Sequence, residues 1–439
     1  MKKYDTYKDS GIEWIGEIPS HWEVNKVKHV FDFQTGFTPP SGKTEYYENG
    51  NHIWINISDL QEKYIDDSVN KITDKAIEDF NPEIVPQGSL LYSFKLSVGK
   101  VGFNTKDCYT NEAIFSIKSD GNMSLNFLYY SLPDQIIKNA NENIYGAKIL
   151  NQELIKNAHL ILPPTSEQSL IADYLDRKTS EIDELIADKE KLIELYEEEK
   201  TAIINELVTG KIVWNGNAWV EPSEIKDSGV EWLGEIPEHW EVKRLKYVAK
   251  INPVKNHENN KKGKDVVFLP MERVNENGTF NDELVKTVEE LWNGYTYFER
   301  GDIIIAKITP CFENGKGALL SNLKTDFGFG STEFHVLRAE SISSIFLFYS
   351  TRSELFMKIG QAFMTGAAGQ KRVPTDFIAE FRLPIPPLHE QTIIVQHIES
   401  ESARIDAKIA NAKKLIDLLK EYRTALISEV VTGKMRVVD

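Results

Sequence analysis

Two long stretches of the chain carry the seven-residue hydrophobic repeat of a coiled coil. Within 167–207, apolar or long-stemmed side chains recur at alternating steps of four and three residues. The positions are Ile182, Ile186, Lys189, Ile193, Tyr196, Lys200, Ile203 and Leu207. The second stretch repeats them as Ile405, Ile409, Ala412, Ile416, Leu419, Arg423, Leu426 and Val430. Such spacing keeps one seam on one face, so it predicts two long helices that pack together.

Residues that stop helices mark the ends of both predicted helices. A Pro-Pro pair precedes each helix, at 163–164 and 386–387, and a glycine follows each, at Gly210 and Gly433. Proline cannot continue a preceding helix, and glycine accepts the left-handed conformation that closes one. A helix over 167–207 is about 60 Å long at about 1.5 Å per residue. The length and the presence of two copies favour an antiparallel two-helix spacer over a packing helix within one domain.

Both predicted helices also carry residues that a plain seam does not explain. Lys200 and Arg423 interrupt the two seams at equivalent places, where their stems can cover apolar surface while the charge reaches water. A second apolar stripe runs beside the seam, at Leu192, Leu195, Leu415 and Leu418. A two-helix seam alone has no use for this second stripe, so it predicts a further packing surface.

The remaining segments predict globular parts of mixed α/β character. Buried strands are indicated at 89–94 and 302–308, and further strand-like stretches follow at 111–117 and 332–337. Polar, glycine-rich loops interrupt these strands, at 36–51, 252–264, 275–282 and 364–372. Regular strands joined by long polar loops are typical of a recognition scaffold.

The chain contains the same unit twice. Residues 8–28 read KDSGIEWIGEIPSHWEVNKVK, and residues 226–246 read KDSGVEWLGEIPEHWEVKRLK. A second pair of segments, LPPTSEQ at 162–168 and IPPLHEQ at 385–391, opens the two long helices. The helices end in LVTGK and VVTGK. The chain is therefore a tandem duplication, and such a chain can present two surfaces about a pseudo-twofold axis to a target with two halves.

Composition limits the classes of protein to which this chain can belong. The 439 residues are 41% hydrophobic and include 2 cysteines, which predicts two to four domains with sizeable cores and no disulfide framework. No apolar segment resembles a signal peptide or a membrane span, so we expect a cytoplasmic protein. The net charge of −16 does not favour DNA, although residues 161–218 alone contain 13 acidic and 6 basic residues. Any contact with DNA must come from local basic clusters.

No motif indicates catalysis. The segment GFTPPSGKT at 36–44 resembles a phosphate-binding loop, but five residues rather than four separate Gly36 from Gly42. FGFG at 327–330 runs between strand-like segments and does not open a helix. His21 and His239 are expected to pack beside the neighbouring tryptophans. Glu167 and Glu390 are expected to stabilise helix starts. The cysteine and histidine spacing predicts no zinc site.

The repeated DSGxEWxGEIPxHWEV opening, the PPxxEQ helix entry and the helix ending in VTGK resemble the specificity subunit of a type I restriction–modification enzyme. The segments at 36–60, 330–338 and 366–373 resemble target recognition domain motifs of that family. The resemblance covers essentially the full chain. It implies target recognition domain 1 over 1–160, a central helical spacer over 161–212, target recognition domain 2 over 213–384 and a C-terminal helical spacer over 385–439.

The same resemblance implies a non-catalytic DNA-recognition subunit for DNA modification and restriction. Each recognition domain would read one half of a bipartite double-stranded DNA site, and the helices would set the gap. Two methyltransferase subunits carrying S-adenosylmethionine would dock on the helices for adenine methylation, and motor-nuclease subunits using ATP and Mg would complete the complex. This chain itself would hold no cofactor. The alternative is a coiled-coil interaction scaffold without DNA binding.

Basic and polar loop residues are the candidates for DNA contact, because phosphates need cations and bases need donors and acceptors. The first domain offers Lys43, Lys95, Lys100 and Lys148. The second domain offers Lys255, Asn256, Lys261, Lys262, Lys264, Lys307, Lys316, Gln370, Lys371 and Arg372. Lys148 aligns with Lys371, but YGAKIL at 145–150 lacks the Gln-Lys-Arg run of 370–372. The second apolar stripe is expected to contact a recognition domain or a methyltransferase subunit.

Overall fold

The computed structural model describes residues 2–119, 121–142, 148–256, 263–367 and 369–437. The chain divides into two compact units. Unit 1 comprises residues 1–189 and 414–439, and unit 2 comprises residues 190–413. Each unit therefore contains one part of each long helix. In the described part of the chain, no helix combines the length and the apolar character needed to cross a membrane.

Unit 1 is a mixed α/β structure. Its strands are β1 (Tyr7–Asp9), β2 (Glu17–Pro19), β3 (Glu23–Lys26), β4 (Gln34–Thr35), β5 (His52–Ile55), β6 (Tyr64–Ile65), β7 (Lys71–Ile72), β8 (Leu90–Ser93), β9 (Val101–Asn104), β10 (Tyr109–Thr110), β11 (Ile114–Ile117), β12 (Asn141–Glu142), β13 (Lys148–Ile149) and β14 (His159–Leu162). Its helices are α1 (Asp74–Phe80), α2 (Leu125–Gln135), α3 (Gln152–Asn157), the first part of α4 (Thr165–Thr209) and the last part of α9 (Leu388–Val431).

Two sheets form the centre of unit 1. One has the order β4-β11-β8-β9-β6 and the other has the order β10-β5-β7. Strand β8 is buried along its whole length because it pairs with β11 on one side and β9 on the other. Strand β3 pairs with β14 in a separate ladder, which joins the HWEV segment to the chain just before α4. The strands predicted at 89–94 and 111–117 are confirmed as β8 and β11.

Unit 2 repeats this plan with different sheets. Its strands are β15 (Val213–Trp214), β16 (Trp219–Val220), β17 (Ile225–Asp227), β18 (Glu235–Pro237), β19 (Glu241–Arg244), β20 (Ala249–Ile251), β21 (Asp265–Leu269), β22 (Val285–Thr287), β23 (Thr296–Glu299), β24 (Ile303–Ala306), β25 (Gly317–Leu319), β26 (Phe327–Gly330), β27 (Phe334–Ala339) and β28 (Arg382–Ile385). Its helices are α5 (Val288–Leu291), α6 (Ser344–Thr351), α7 (Glu354–Ala362), α8 (Thr375–Glu380), the first part of α9 (Leu388–Val431) and the last part of α4.

The two main sheets of unit 2 have the orders β20-β27-β24-β25 and β22-β21-β26-β23. The strands predicted at 302–308 and 332–337 are confirmed as β24 and β27. The FGFG segment is itself a strand, β26, between β21 and β23. A Cβ on Gly328 would lie 2.6 Å from the Val267 carbonyl oxygen, so glycine serves close strand packing there.

The long helices α4 and α9 confirm the prediction from the heptad pattern. In unit 2, Lys408 lies 4.9 Å from the Tyr196 ring centre, while Leu207 near the end of α4 shares a core with Ile394 near the start of α9. In unit 1, Arg423 bonds Asp183, and Glu167 and Gly433 both lie against Trp22. The helix segments are therefore antiparallel within each unit. All of the seam residues are buried or half-buried.

Candidate nucleic-acid interface

In unit 1, the first turn of α4 is fastened to the repeated His-Trp pair. Glu167 accepts a hydrogen bond from the indole N–H of fully buried Trp22 (3.1 Å) and lies 2.9 Å from His21 Nε2. It also accepts a hydrogen bond from the Tyr4 hydroxyl. Burial and this carboxylate together raise the pKa of Tyr4. Glu167 therefore does more than complement a helix dipole, because it satisfies an indole donor that would otherwise be buried without a partner.

Unit 2 forms the same contact. Glu390 accepts a hydrogen bond from the Trp240 indole N–H at 3.0 Å and lies 2.8 Å from His239 Nε2. Trp240, like its counterpart, is fully buried. The two histidines lie beside the tryptophans as expected, and their partners are the glutamates of the two PPxxEQ segments. The repeated motifs thus meet in space and join each long helix to its globular part.

The glutamine after each glutamate makes a second link. Gln168 Oε1 accepts a hydrogen bond from the Ser124 backbone N–H (3.1 Å), and its Nε2 donates to the Pro163 carbonyl (2.9 Å). Ser124 is the N-cap of α2, so one buried amide ties the starts of two helices together. In unit 2 the same contacts are made at 2.8 and 2.9 Å, by Gln391, Ser343 and Pro386.

Replacing Gln168 should destabilise unit 1, and replacing Gln391 should destabilise unit 2. Gln168→Ala leaves a buried N–H and a buried C=O without partners, which costs about 1–3 kcal/mol. We expect earlier urea unfolding and faster amide exchange in α2 and at the start of α4. The matched control, Gln391→Ala, should instead speed exchange in α6 and at the start of α9. Parent-like exchange in both variants would contradict the role of these amides.

The glycines of the two VTGK segments explain how the helices end. Gly433 has φ +73°, and a Cβ there would lie 2.4 Å from Pro19 Cδ and 3.0 Å from the Trp22 ring. Gly210 has φ +76°, and its Cβ would lie 2.6 Å from Pro237 Cδ. Glycine is required at both places for the left-handed turn and for the close approach. Each helix end therefore packs on a repeated Pro-Trp surface.

The charged residues that interrupt the two seams form ion pairs between helices. Arg423 Nε lies 2.9 Å from Asp183 Oδ1, and Lys200 Nζ lies 2.8 Å from Asp406 Oδ1. The two acidic partners occupy equivalent positions of the duplicated sequence. Exposed ion pairs contribute about 0–1 kcal/mol, so their main effect is on register and orientation.

The candidate DNA-binding lysines of unit 1 lie in loops and in a short hairpin. Lys43 precedes the helical turn at 44–46 and lies 5.5 Å from the Tyr46 ring centre. Lys95 and Lys100 flank the loop between β8 and β9; Lys95 is exposed and Lys100 is half-buried. Lys148, in β13, forms an ion pair with Glu142 in β12. The structure brings Lys95 and Lys100 onto one loop.

In unit 2, two of the candidate lysines lie on segments that are hydrogen-bonded to each other. The carbonyl of Lys371 accepts a hydrogen bond from the Thr309 N–H (3.0 Å), and the Val373 N–H donates to the Lys307 carbonyl (2.8 Å). The loop at 365–372 therefore lies along the segment that follows β24. Lys371 is exposed and Lys307 is half-buried. The structure thus places both of these lysines on one edge of unit 2.

Arg372 is held by an acidic residue, Glu333, that the sequence pattern does not mark as a site residue. Its guanidinium donates two hydrogen bonds to the Glu333 carboxylate, both at 2.9 Å. This pairing lowers the pKa of Glu333 and raises the pKa of Arg372. The sequence signal for this ion pair was the only glutamate of the 330–338 segment, which comes directly before β27. Arg372 fastens the loop at 365–372 to the β27 side of unit 2.

The other candidates of unit 2 are dispersed. Lys255 donates to the Trp292 carbonyl and lies 5.6 Å from its ring centre, and burial lowers the pKa of this lysine. Lys264 lies 4.6 Å from the Phe327 ring centre, and Lys316 Nζ lies 3.4 Å from the Met271 carbonyl oxygen. Asn256 and Gln370 are exposed. Lys261 and Lys262 lie outside the described residues.

The second apolar stripe is largely open to solvent. Leu195, Leu415 and Leu418 are 47, 41 and 50% exposed, and Leu192 is half-buried. The pair in α4 belongs to unit 2, and the pair in α9 belongs to unit 1. Because the two pairs occupy equivalent places in the duplicated sequence, each unit presents one similar apolar surface on a helix.

The possible metal ligands do not cluster in the part of the chain that the structure describes, and the cysteines form no disulfide. Among the described residues, no group of three His, Cys, Asp or Glu side chains could hold a metal ion. Both cysteines are free; Cys108 is buried, and burial raises its pKa to about 12. Cys311 is half-buried in the loop between Lys307 and Lys316.

Comparison with known proteins identifies similar chains. The family model described as the type I restriction modification DNA specificity domain matches twice, over 19–195 and 237–420. The specificity subunit of the type I restriction enzyme EcoAI from Escherichia coli is 41% identical over 164 residues, which cover 37% of this chain and 28% of that protein. The match thus spans less than a third of that relative. The MjaVIII specificity subunit from Methanocaldococcus jannaschii is 25% identical over 429 residues, 96% of this chain and 94% of that protein.

Solved structures share the fold at low sequence identity. A structure from work on complex assembly and conformational transition of the type I R-M system has a TM-score of 0.68 at 14% identity. It covers 95% of this chain and 99% of that one. The HsdS subunit from Thermoanaerobacter tengcongensis has a TM-score of 0.54 at 14% identity, over 95% of this chain and 98% of that one. Both likenesses support two mixed α/β domains with long helices.

Proposed function

Because the chain belongs to the type I restriction modification DNA specificity family, we propose that it is the non-catalytic recognition subunit of such a complex. Unit 1 and unit 2 each read one half of a bipartite double-stranded DNA site. Helices α4 and α9 set the gap between the halves. The observation that carries this proposal is the duplicated attachment of a long helix to a recognition unit, through Glu167 in one case and Glu390 in the other.

The basic loops support double-stranded DNA as the ligand. In unit 2, Lys307 and Lys371 lie on neighbouring segments, and in unit 1, Lys95 and Lys100 share a loop. Lysines within one loop can follow a phosphate backbone, whereas adjacent polar side chains can reach base edges. The negative net charge of the whole chain does not oppose this, because charges more than about 10 Å apart are screened at about 0.1 M salt.

The complete complex contains partners that carry the chemistry. Two methyltransferase subunits with S-adenosylmethionine dock on the helices, and motor-nuclease subunits using ATP and Mg act on the same DNA in the cytoplasm. The two equivalent leucine pairs support two copies of the first partner, because a duplicated surface binds a duplicated subunit.

The test of this function is the methylation pattern of cells that carry the chain with its partner subunits. We expect methylated adenines in one two-part motif separated by a gap of fixed length and free sequence. Deleting the gene for this chain should abolish that motif. A chain that binds its partners but neither binds DNA nor directs methylation would instead be a coiled-coil scaffold.

Changing the exposed leucines should weaken docking of the methyltransferase subunits. Leu195→Gln with Leu418→Gln removes one leucine from each pair, and glutamine keeps the helix propensity. Full burial of a leucine contributes about 1.5–3 kcal/mol, and these are half exposed, so we expect roughly three- to tenfold weaker binding at each surface. The measurement is titration calorimetry with purified methyltransferase subunits.

The matched control for this docking experiment is Leu170→Gln. Leu170 is 55% exposed and also lies on α4, outside the stripe. It should bind the methyltransferase subunits like the parent chain. Equal losses in the control and in the double variant would show that the stripe is not the docking surface.

A further inference from the structure

One loop of unit 1 presents an aliphatic side chain to solvent from a strained backbone. Leu96, between β8 and β9, is 93% exposed and has φ +60°. A leucine is disfavoured in this left-handed region because its Cβ approaches the following carbonyl oxygen, and asparagine or glycine would fit better. An exposed leucine in such a conformation lowers stability. A role in function would explain why it is there.

Hydrogen bonds at its base fix the conformation of the loop between β8 and β9. The Ser93 N–H donates to the Lys100 carbonyl, and the Gly99 N–H donates to the Ser93 carbonyl, both at 2.9 Å. The fully buried Ser93 hydroxyl accepts from the Lys100 N–H (3.0 Å) and donates to the Ser97 carbonyl. Both ends of the loop are therefore fixed. Because the loop is already ordered, little conformational entropy is lost when Leu96 contacts a partner.

The surrounding charge indicates what the partner is. The chain has a net charge of −16, yet the loop at 94–100 contains no acidic side chain and includes Lys95 and Lys100. Lys95 is exposed directly beside Leu96. A lone aliphatic tip among cations suits DNA, where lysines meet phosphates and an apolar side chain meets a thymine methyl group or the face of an unstacked base.

We propose that Leu96 is a specificity-determining residue that makes an apolar contact with a base in the half-site read by unit 1. This inference rests on the proposed function. Lys95 holds the loop against the phosphates, and Leu96 reads the base. Its contribution is to sequence preference, whereas the lysine contributes to the salt dependence of binding.

The experiment compares methylation motifs and DNA binding of the parent chain, Leu96→Ala and Leu96→Gly, each with its partner subunits. Both variants should relax preference at one position of one half-site, with roughly tenfold less discrimination there, and leave the other half-site unchanged. The slope of log affinity against log salt should stay the same. Leu96→Gly should unfold at an equal or higher temperature than the parent because it relieves the backbone strain.

Val69→Ala is the matched control. Val69 is 86% exposed in the same unit, but its backbone N–H donates to the carboxylate of Asp59 (3.3 Å), so an acidic group lies directly beside it. It should leave the motif unchanged. Replacing thymine by uracil, or placing 2-aminopurine at the relaxed position, distinguishes a methyl contact from an unstacked base, and either result supports the inference.

An unchanged motif in both Leu96 variants, with a normal motif for the parent, would overturn this inference and leave the proposed function intact. A parent chain without any motif would remove the proposed function as well. Loss of methyltransferase binding with unchanged DNA preference would assign Leu96 to a protein contact and reject the base contact.

Discussion

Inserting one heptad into each long helix should widen the gap of the recognised DNA site by about three base pairs. Seven helical residues add about 10 Å, and DNA rises about 3.4 Å per base pair. The insertions belong after Lys189 and after Lys413, where the chain passes from one compact unit to the other. Each unit then keeps its own contacts, including Arg423 with Asp183 in unit 1 and Lys200 with Asp406 in unit 2.

A seven-residue insertion keeps the hydrophobic seam in phase, so the helices can still pair over the added length. Sequencing the methylated motif of the variant measures the gap directly. The two half-sites should stay the same, because no recognition loop changes. A heptad inserted into α4 alone is the control, and it should abolish methylation because the partner helix offers no matching residues. An active double variant with the original gap would refute the spacer role.

Removing Lys371 should weaken DNA binding and flatten its dependence on salt. Lys371 is exposed on the loop at 365–372, so Lys371→Ala removes a cation that can meet a phosphate. Each lost phosphate contact lowers the slope of log affinity against log salt by about 0.9. If Lys371 reads a base instead, preference should relax at one half-site by about 1–3 kcal/mol. Filter binding over a range of salt concentrations, together with the methylated motif, distinguishes the two cases.

Arg372 needs a separate variant because its guanidinium is paired with Glu333. Arg372→Ala frees that carboxylate beside Lys371, so we expect a larger loss of affinity than from Lys371→Ala. Combining Arg372→Ala with Glu333→Gln should restore part of the lost affinity for DNA, because the unpaired carboxylate is then removed. Lys358→Ala, a change at an exposed lysine on α7, is the control and should bind like the parent. Parent-like affinity and slope in both Lys371→Ala and Arg372→Ala would rule out a DNA role for this loop.

Periodic and duplicated features were predictable from the amino-acid sequence. Helices α4 and α9 follow from an uninterrupted heptad pattern, because the pattern depends only on spacing along one chain segment. Strands β8 and β24 follow from short runs of buried residue types. The duplication also predicted that both helices would start and end in the same way.

The partners of the site residues were decided by tertiary structure. Glu167 reaches Trp22 across 145 positions, and Arg372 reaches Glu333 across 39. The Lys255 amine lies against the Trp292 ring, so this lysine is half-buried and is not one of the exposed cations. Such pairs join segments whose distance in space depends on how sheets and helices pack, which local spacing does not encode.

The exposure of Leu96 depends on a local loop conformation that the hydrophobic pattern does not indicate. Hydrophobic pattern alone assigns a leucine after a buried strand to the core, because leucine is usually buried. The tight loop held by Ser93 turns it outward instead. Local sequence therefore determines which elements form and that they form twice. Packing between distant segments determines which of the candidate lysines stay exposed and which are held by an acidic or aromatic partner.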